Sequence, residues 1–255
     1  MNKVILVTGA TSGFGKAIAR KFAANGYDII ITGRRKDRLT ELESELKADG
    51  STKVLSLCFD VRDRKAVKSV VDNLTDEWKK IDVLVNNAGL AAGLSHIDEG
   101  DIDDWDQMID TNIKGLLYVT RSVAPLMAKR NTGHIFNIGS IAGIDPYENG
   151  NVYCATKAAV AQLSRTMRVD LLKHSIRVTN IAPGMAETEF SLVRFRGNNE
   201  KADAVYNGVK SLTAEDVADV VWYCASLPQH VCINELVITP VQQANAFYVN
   251  RVTGS

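Results

Sequence analysis

The sequence predicts an α/β chain built on one doubly wound parallel sheet of about seven strands, with helices on both faces. Three observations carry that expectation. Short apolar runs alternate with segments of helical period from one end of the chain to the other. Most of those runs are continuously apolar, as strands covered on both faces are. No Pro-, Gly- or Ser-rich linker interrupts the 255 residues, so a single domain is expected over 1–255.

Taken in order, the first strand is expected at 4–8, where the chain runs straight into an apolar segment. A glycine-rich turn follows and opens a helix over 13–25, which stops at Asn25-Gly26, a pairing suited to a helix C-terminus. The second strand, 27–32, leads into a helix over 37–48. Further strands are expected at 53–59, 82–86, 134–138, 177–181 and 232–239, and helices at 64–79, 105–129, 152–173 and 214–226. Thr213 ahead of Ala-Glu-Asp caps the last helix. The longest irregular stretch, 183–212, is long for a connection inside one domain, and its part from about 184 to 212 reads as a substrate lid.

Composition excludes several functions. Thirty basic and thirty acidic residues cancel, so no bulk field favours nucleic acid or an anionic membrane. No apolar run reaches membrane-spanning length, and the N-terminus lacks a signal-peptide layout. Cys58, Cys154, Cys224 and Cys232 have no Cys-x-x-Cys spacing, and the four histidines show no i, i+4 pairing. Neither a metal site nor a disulfide framework is expected, and a reduced, cytoplasmic protein is.

The turn Thr8-Gly9-Ala10-Thr11-Ser12-Gly13-Phe14-Gly15 sits between the first strand and the first helix. Glycines there let the backbone approach a pyrophosphate, and the helix N-terminus offers unpaired N–H groups. A dinucleotide site is expected. The second strand ends Thr32-Gly33-Arg34-Arg35, without the carboxylate that usually meets the adenosine ribose. Two guanidiniums could clamp a 2′-phosphate, so NADP(H) is expected over NAD(H). Asp60 and Val61, after the third strand, are candidate adenine contacts, and Asn87, Ala88 and Gly89 form a small turn where the cofactor would cross the sheet.

Tyr153 and Lys157 stand one helical turn apart, which puts a phenol beside an ammonium. An alkoxide left by hydride transfer needs a proton, and a nearby cation tunes a tyrosine to supply it. A second pair, Tyr206–Lys210, has the same spacing. It lies within the irregular segment, has Gly208 between its members, and reads as a surface helical turn. Only Tyr153 follows a buried-type strand that ends in Ser140, whose hydroxyl could polarise the same carbonyl. Asn112, an amide within an apolar helix, must be hydrogen-bonded.

Together these residues resemble the short-chain dehydrogenase/reductase family. TGxxxGxG (Thr8–Gly15), NNAG (Asn86–Gly89), Asn112, Ser140, YxxxK (Tyr153–Lys157) and PGxxxT (Pro183, Gly184, Thr188) occur in family order and spacing. The resemblance implies a Rossmann domain and a catalytic set of Asn112, Ser140, Tyr153 and Lys157. In it Tyr153 is the general acid/base and Ser140 holds the substrate oxygen. Lys157 binds the nicotinamide ribose and lowers the Tyr153 pKa, and Asn112 supports a proton-relay water. It further implies cofactor contacts from Tyr153, Lys157, Pro183, Gly184, Met185 and Thr188.

Within the family the chain is most similar to NADP-dependent 3-hydroxy acid dehydrogenases. These act on L-serine or L-allo-threonine and reduce malonic semialdehyde to 3-hydroxypropionate. Thr32–Arg35, Ile109–Asn112, Gly150–Tyr153, Thr188–Gly197 and Leu227–Asn234 carry that similarity. Gly184–Thr188 is shorter than in close relatives, and Asn198-Asn199 replaces an acidic position. Substrate contacts are expected from Ser140, Tyr153 and Arg194, with Arg196 the alternative carboxylate partner. The family implies a homotetramer. A reductase of thioesters, sugars or sterols, and a non-catalytic NADPH sensor, are the alternatives.

Overall fold

Val4–Val7 form strand β1, and all four side chains are buried because both faces of the strand are covered. The computed structural model describes residues 2–48 and 50–252. Ile5 and Val7 pack with Phe22, Ile29, Ile31 and Leu39 on one face, while Leu6 packs with Ile30, Leu84, Val119 and Val123 on the other. That division is the pleat of a strand buried on both sides. The other strands are β2 (Asp28–Gly33), β3 (Val54–Cys58), β4 (Ile81–Asn86), β5 (Gly133–Ile138), β6 (Ile176–Pro183) and β7 (Glu235–Ile238). They run in the order β3-β2-β1-β4-β5-β6-β7, and every pairing is parallel. This is the seven-stranded doubly wound sheet the sequence predicts. Its order reverses between β1 and β4, and a crevice opens where the carboxyl ends of those strands diverge.

The helices are α1 (Gly13–Ala23), α2 (Lys36–Leu46), α3 (Arg64–Asp72), α4 (Ile102–Ile109), α5 (Leu116–Ala128), α6 (Asn151–Leu171), α7 (Glu189–Arg194), α8 (Asn199–Ala204) and α9 (Ala214–Ser226). Helices α1, α2 and α9 cover one face of the sheet, and α3, α5 and α6 the other. The start of α9 is a capping box, with the Thr213 and Asp216 side chains each bonded to the other's backbone N–H.

Three elements differ from expectation. The helix expected over 64–79 ends at Asp72, where the Asn73 amide donates to the Ser69 carbonyl at 2.9 Å and closes the turn. The helix expected over 105–129 starts earlier, at Ile102, capped by the Asp101 carboxylate. It is interrupted by a π-helical turn, Asp110–Gly115, which contains Asn112. The segment from 184 to 212 is not irregular throughout: α7 and α8 lie within it, capped by Thr188 and Asn198.

Beyond β7 the chain folds back on its own 184–212 segment. The buried Gln243 side chain accepts the Met185 N–H at 2.7 Å. Gln242 accepts the Lys210 N–H at 2.8 Å and donates to the Gly208 carbonyl at 2.9 Å. Both ends of the segment are thereby tied to one strap, while Phe247 and Tyr248 point outward.

Candidate active site

The first wall of the crevice is fixed by Thr8 at the end of β1. Its buried hydroxyl donates to the Val85 carbonyl at 3.2 Å and accepts the N–H groups of Asn87 and Ala88 at 3.0 Å. The Asn87 amide returns the tie, donating to the carbonyls of Thr8 at 2.8 Å and Gly9 at 3.1 Å. These bonds press the glycine turn onto the end of β4. Gly9 has φ +65°, and a Cβ on it would lie 2.9 Å from the Ala88 Cα, so only glycine fits there. Helix α1 then begins with no side-chain cap from Ser12, which leaves its first N–H groups free for an anion.

A single groove of about 500 Å³ runs from Gly33, Arg34 and Asp60, past this turn, to Tyr153 and Lys157. Of the expected cofactor residues, Gly9, Thr11, Ser12, Gly13, Phe14, Arg34, Arg35, Asp60, Val61, Asn87, Ala88, Gly89, Tyr153, Lys157, Pro183, Gly184, Met185 and Thr188 all line it. Gly15 does not. It is buried against the Gly9 carbonyl, where any Cβ would collide, so its role is close packing of helix on strand.

The two arginines after β2 are held differently. Arg34 makes no side-chain hydrogen bond among the described residues; its ion-pair partner is Asp60, at 3.8 Å. Asp60 is itself gripped by Arg62 at 2.7 Å, and those bonds hold its carboxyl below the usual range although burial acts the other way. Arg35 donates to the hydroxyls of Thr11 and Ser12, both at 3.0 Å, and to Glu189 of α7 at 2.9 Å.

At the far end, Tyr153 and Lys157 lie on one face in the first two turns of α6, both buried. The Lys157 ammonium donates to the Ile138 carbonyl at 2.9 Å, and burial pulls its pKa down to about 8. Burial raises the Tyr153 phenol above its ordinary value, while the Arg194 cation and the nearby Ser140 hydroxyl lower it. Ser140 caps the turn after β5 by accepting the Ala142 N–H at 3.1 Å, which leaves its own proton to donate. Asn112 stands behind this group, not in the groove. Its amide brackets Leu90, accepting from the N–H and donating to the C=O, both at 2.9 Å, and reaches Thr156 at 3.0 Å. It thus joins the turn after β4 to α6.

Arg194 of α7 closes the groove over the tyrosine. Its guanidinium centre is 4.9 Å from the Tyr153 ring, 5.2 Å from Phe190 and 5.7 Å from Tyr147. It donates to the Tyr147 hydroxyl at 2.6 Å, and its Nε is buried without a partner among the described residues. Arg196 is exposed and paired with Asp101 and Asp104, at 3.2 and 2.9 Å, so it does not enter the groove. Sequence reasoning missed Tyr147, Phe190 and Gln243; only the aromatic ring placed between Ser140 and Tyr153 gave any signal. The reading of Tyr206–Lys210 as a surface helical turn is corrected. The helix ends at Ala204, and the half-buried Tyr206 hydroxyl bonds Ser191 at 2.7 Å and the Ala186 carbonyl at 3.0 Å inside the segment. Among the described residues no cluster of His, Cys, Asp or Glu could hold a metal, and no helix is long and apolar enough to cross a membrane.

NADP(H) fits what these residues offer: a glycine turn with no room for a side chain, an uncapped helix start, and at the end of β2 a guanidinium with no side-chain hydrogen bond among the described residues. The profile of the short chain dehydrogenase family matches residues 3–198. NADP-dependent 3-hydroxy acid dehydrogenase YdfG of Salmonella typhi is 51% identical over 244 residues, 95% of this chain and 97% of that one. Sulfoacetaldehyde reductase 2 of Chromohalobacter salexigens is 49% identical over 253 residues, 98% of this chain and 100% of that one. A solved structure of the closed form of serine dehydrogenase complexed with NADP+ superposes with a TM-score of 0.91 at 49% identity, covering 98% of this chain and 100% of that one.

Proposed function

The chain belongs to the short-chain dehydrogenase family, and from that premise we propose that it moves a hydride between NADP(H) and the 3-position of a small 3-hydroxy acid or its semialdehyde. Bound in the groove, the coenzyme supplies or accepts the hydride. The chain's own residues hold the substrate and handle the proton. Ser140 donates to the substrate oxygen, and Tyr153, protonated at neutral pH because it is buried, gives its proton to the alkoxide as it forms. Lys157 fixes the ribose side of the site, and Asn112 keeps the turn after β4 in register with α6.

The observation that carries the acid substrate is Arg194: a cation over the Tyr153 ring with a buried Nε still to be satisfied. A bidentate carboxylate beside the phenol would complete it. Arg194→Ala is expected to raise KM for acids roughly 10- to 100-fold, the worth of hydrogen bonds to a charged group. KM for a neutral aldehyde should scarcely move, and equal effects on both would remove the assignment. A sulfonate is a second reading, because a guanidinium takes either anion and the sulfoacetaldehyde reductase is similar over its whole length. NADPH oxidation with malonic semialdehyde and sulfoacetaldehyde, set against NADP+ reduction with L-serine, D-serine, L-allo-threonine and 3-hydroxyisobutyrate, decides between them.

In this reading residues 184–212 act as the lid of a single domain. Exposed Val169, Leu172 and Phe247 support assembly, for which a homotetramer is proposed and light scattering is the test. Four free cysteines support a reducing, cytoplasmic setting.

A further inference from the structure

One carboxylate joins the lid to the coenzyme end of the groove. Glu189 opens α7 directly after Thr188, whose Cβ would lie 3.4 Å from a Cβ built on Gly13, so the lid passes over the phosphate turn at this point. Its two oxygens reach two arginines on the opposite wall: Oε2 takes Nη1 of Arg35 at 2.9 Å, and Oε1 takes Nη1 of Arg38. Arg35 is also fixed from below. Its Nε donates to Thr11 at 3.3 Å, and its Nη2 to Thr11 and Ser12, each at 3.0 Å. Most of its five N–H directions are therefore used within the chain. Arg34, its neighbour, is bound by no side-chain hydrogen bond among the described residues and lines the same groove.

We propose that the two arginines divide their labour: Arg34 reads the 2′-phosphate, while Arg35 and Arg38 fasten the lid through Glu189, a positioning residue that sets how long bound coenzyme stays. The inference rests on the NADP(H) reading. An isolated surface ion pair contributes little, because two long side chains must be immobilised for it. Here Arg35 is already immobilised by two hydroxyls, and a single carboxylate bridges two guanidiniums. The latch makes its contacts to the protein and not to the phosphate, so it acts on NADPH and NADH alike.

Release of NADPH and of NADH, followed by loss of coenzyme fluorescence in stopped flow, tests this directly. Glu189→Gln should speed both releases by the same factor, roughly two- to fivefold, the scale of a partly exposed ion pair. Glu189→Asp, with the charge kept and the reach shortened, should fall between. Trypsin should cut the coenzyme-free Glu189→Gln protein faster at Arg194 to Lys201. Arg38→Ala should add little once Glu189 is Gln. Arg34→Ala should remove the preference for NADPH, with the lid left protected. Unchanged release in Glu189→Gln, or tighter binding of NADPH alone, would overturn the latch, the second result making Glu189 a competitor of the phosphate. Loss of coenzyme preference in Arg35→Ala rather than Arg34→Ala would overturn the division of labour. Failure of the wild-type protein to bind either coenzyme would instead sink the coenzyme assignment on which it rests.

Discussion

In the role proposed for it, Lys157 sets stability against function within one side chain. Its ammonium is buried, with the Ile138 carbonyl as its bonded partner, and its pKa falls from 10.5 to about 8. That displacement is worth on the order of 3 kcal/mol against folding at neutral pH. Below pH 8 the lysine is charged in both folded and unfolded states and the full penalty applies. Between 8 and 10.5 the unfolded chain binds the extra proton, so stability rises with pH. Lys157→Met should therefore raise the Tm of the coenzyme-free protein by several degrees at pH 7, with the gain shrinking toward pH 10, while turnover is lost. A lower Tm at pH 7 would show that the ammonium stabilises the fold. Tyr153→Phe separates chemistry from binding. Turnover should fall by at least roughly 100-fold, the low end for loss of a general acid, with NADPH fluorescence titration unchanged. Substantial residual activity would refute the acid/base role. The Tyr153–Lys157 pair was legible because helical spacing sets both on one face and because, unlike Tyr206–Lys210, it follows a strand that ends in Ser140. Arg194 was legible only as a residue type: its cage of Tyr147, Tyr153 and Phe190 joins three separate elements.

Among elements, the helix after β4 departs most from its sequence pattern. Period alone reads 105–129 as continuous, yet the π-helical turn at Asp110–Gly115 rotates Asn112 toward the Leu90 backbone. A helical period cannot report this, because the turn is selected by hydrogen bonds to residues more than twenty positions away. Asn112→Ala would leave the Leu90 N–H and C=O buried and unpaired, at a cost of about 2–4 kcal/mol. Denaturant unfolding should show that loss, and kcat should fall with it; full stability in the variant would mean that water replaces the amide. The 184–212 segment was legible as a long connection. Its inner ties, from Tyr206 to Ser191 and from Gln243 to Met185, were not, because turn and tail residues show no period.

For the molecule as a whole, the groove makes coenzyme binding part of the folding equilibrium. At a concentration one hundred times its Kd, NADPH adds about 2.7 kcal/mol, which is roughly 5–10 °C in Tm for a chain of this size. NADH at the same concentration should add less, and Arg34→Ala should bring the two shifts together. Equal shifts in the wild-type protein would place the 2′-phosphate outside the reach of Arg34.

The parallel, doubly wound sheet, the glycine turn and the Tyr153–Lys157 pair were legible in the sequence by itself. Each rests on patterns within a short stretch of chain: continuous apolar runs, the conformational freedom of Gly9, and the helical spacing of Tyr153 and Lys157 behind a strand that ends in Ser140. Tertiary structure decided the rest. It set the strand order, buried Gly15 against the Gly9 carbonyl, left Arg34 without a side-chain hydrogen bond among the described residues, and tied Arg35 to Glu189 across 154 positions of chain. It also chose Arg194 over Arg196 for the groove, because the first meets the aromatic wall and the second meets Asp101 and Asp104. Those outcomes depend on which side chains meet across the fold, and no local pattern encodes such meetings.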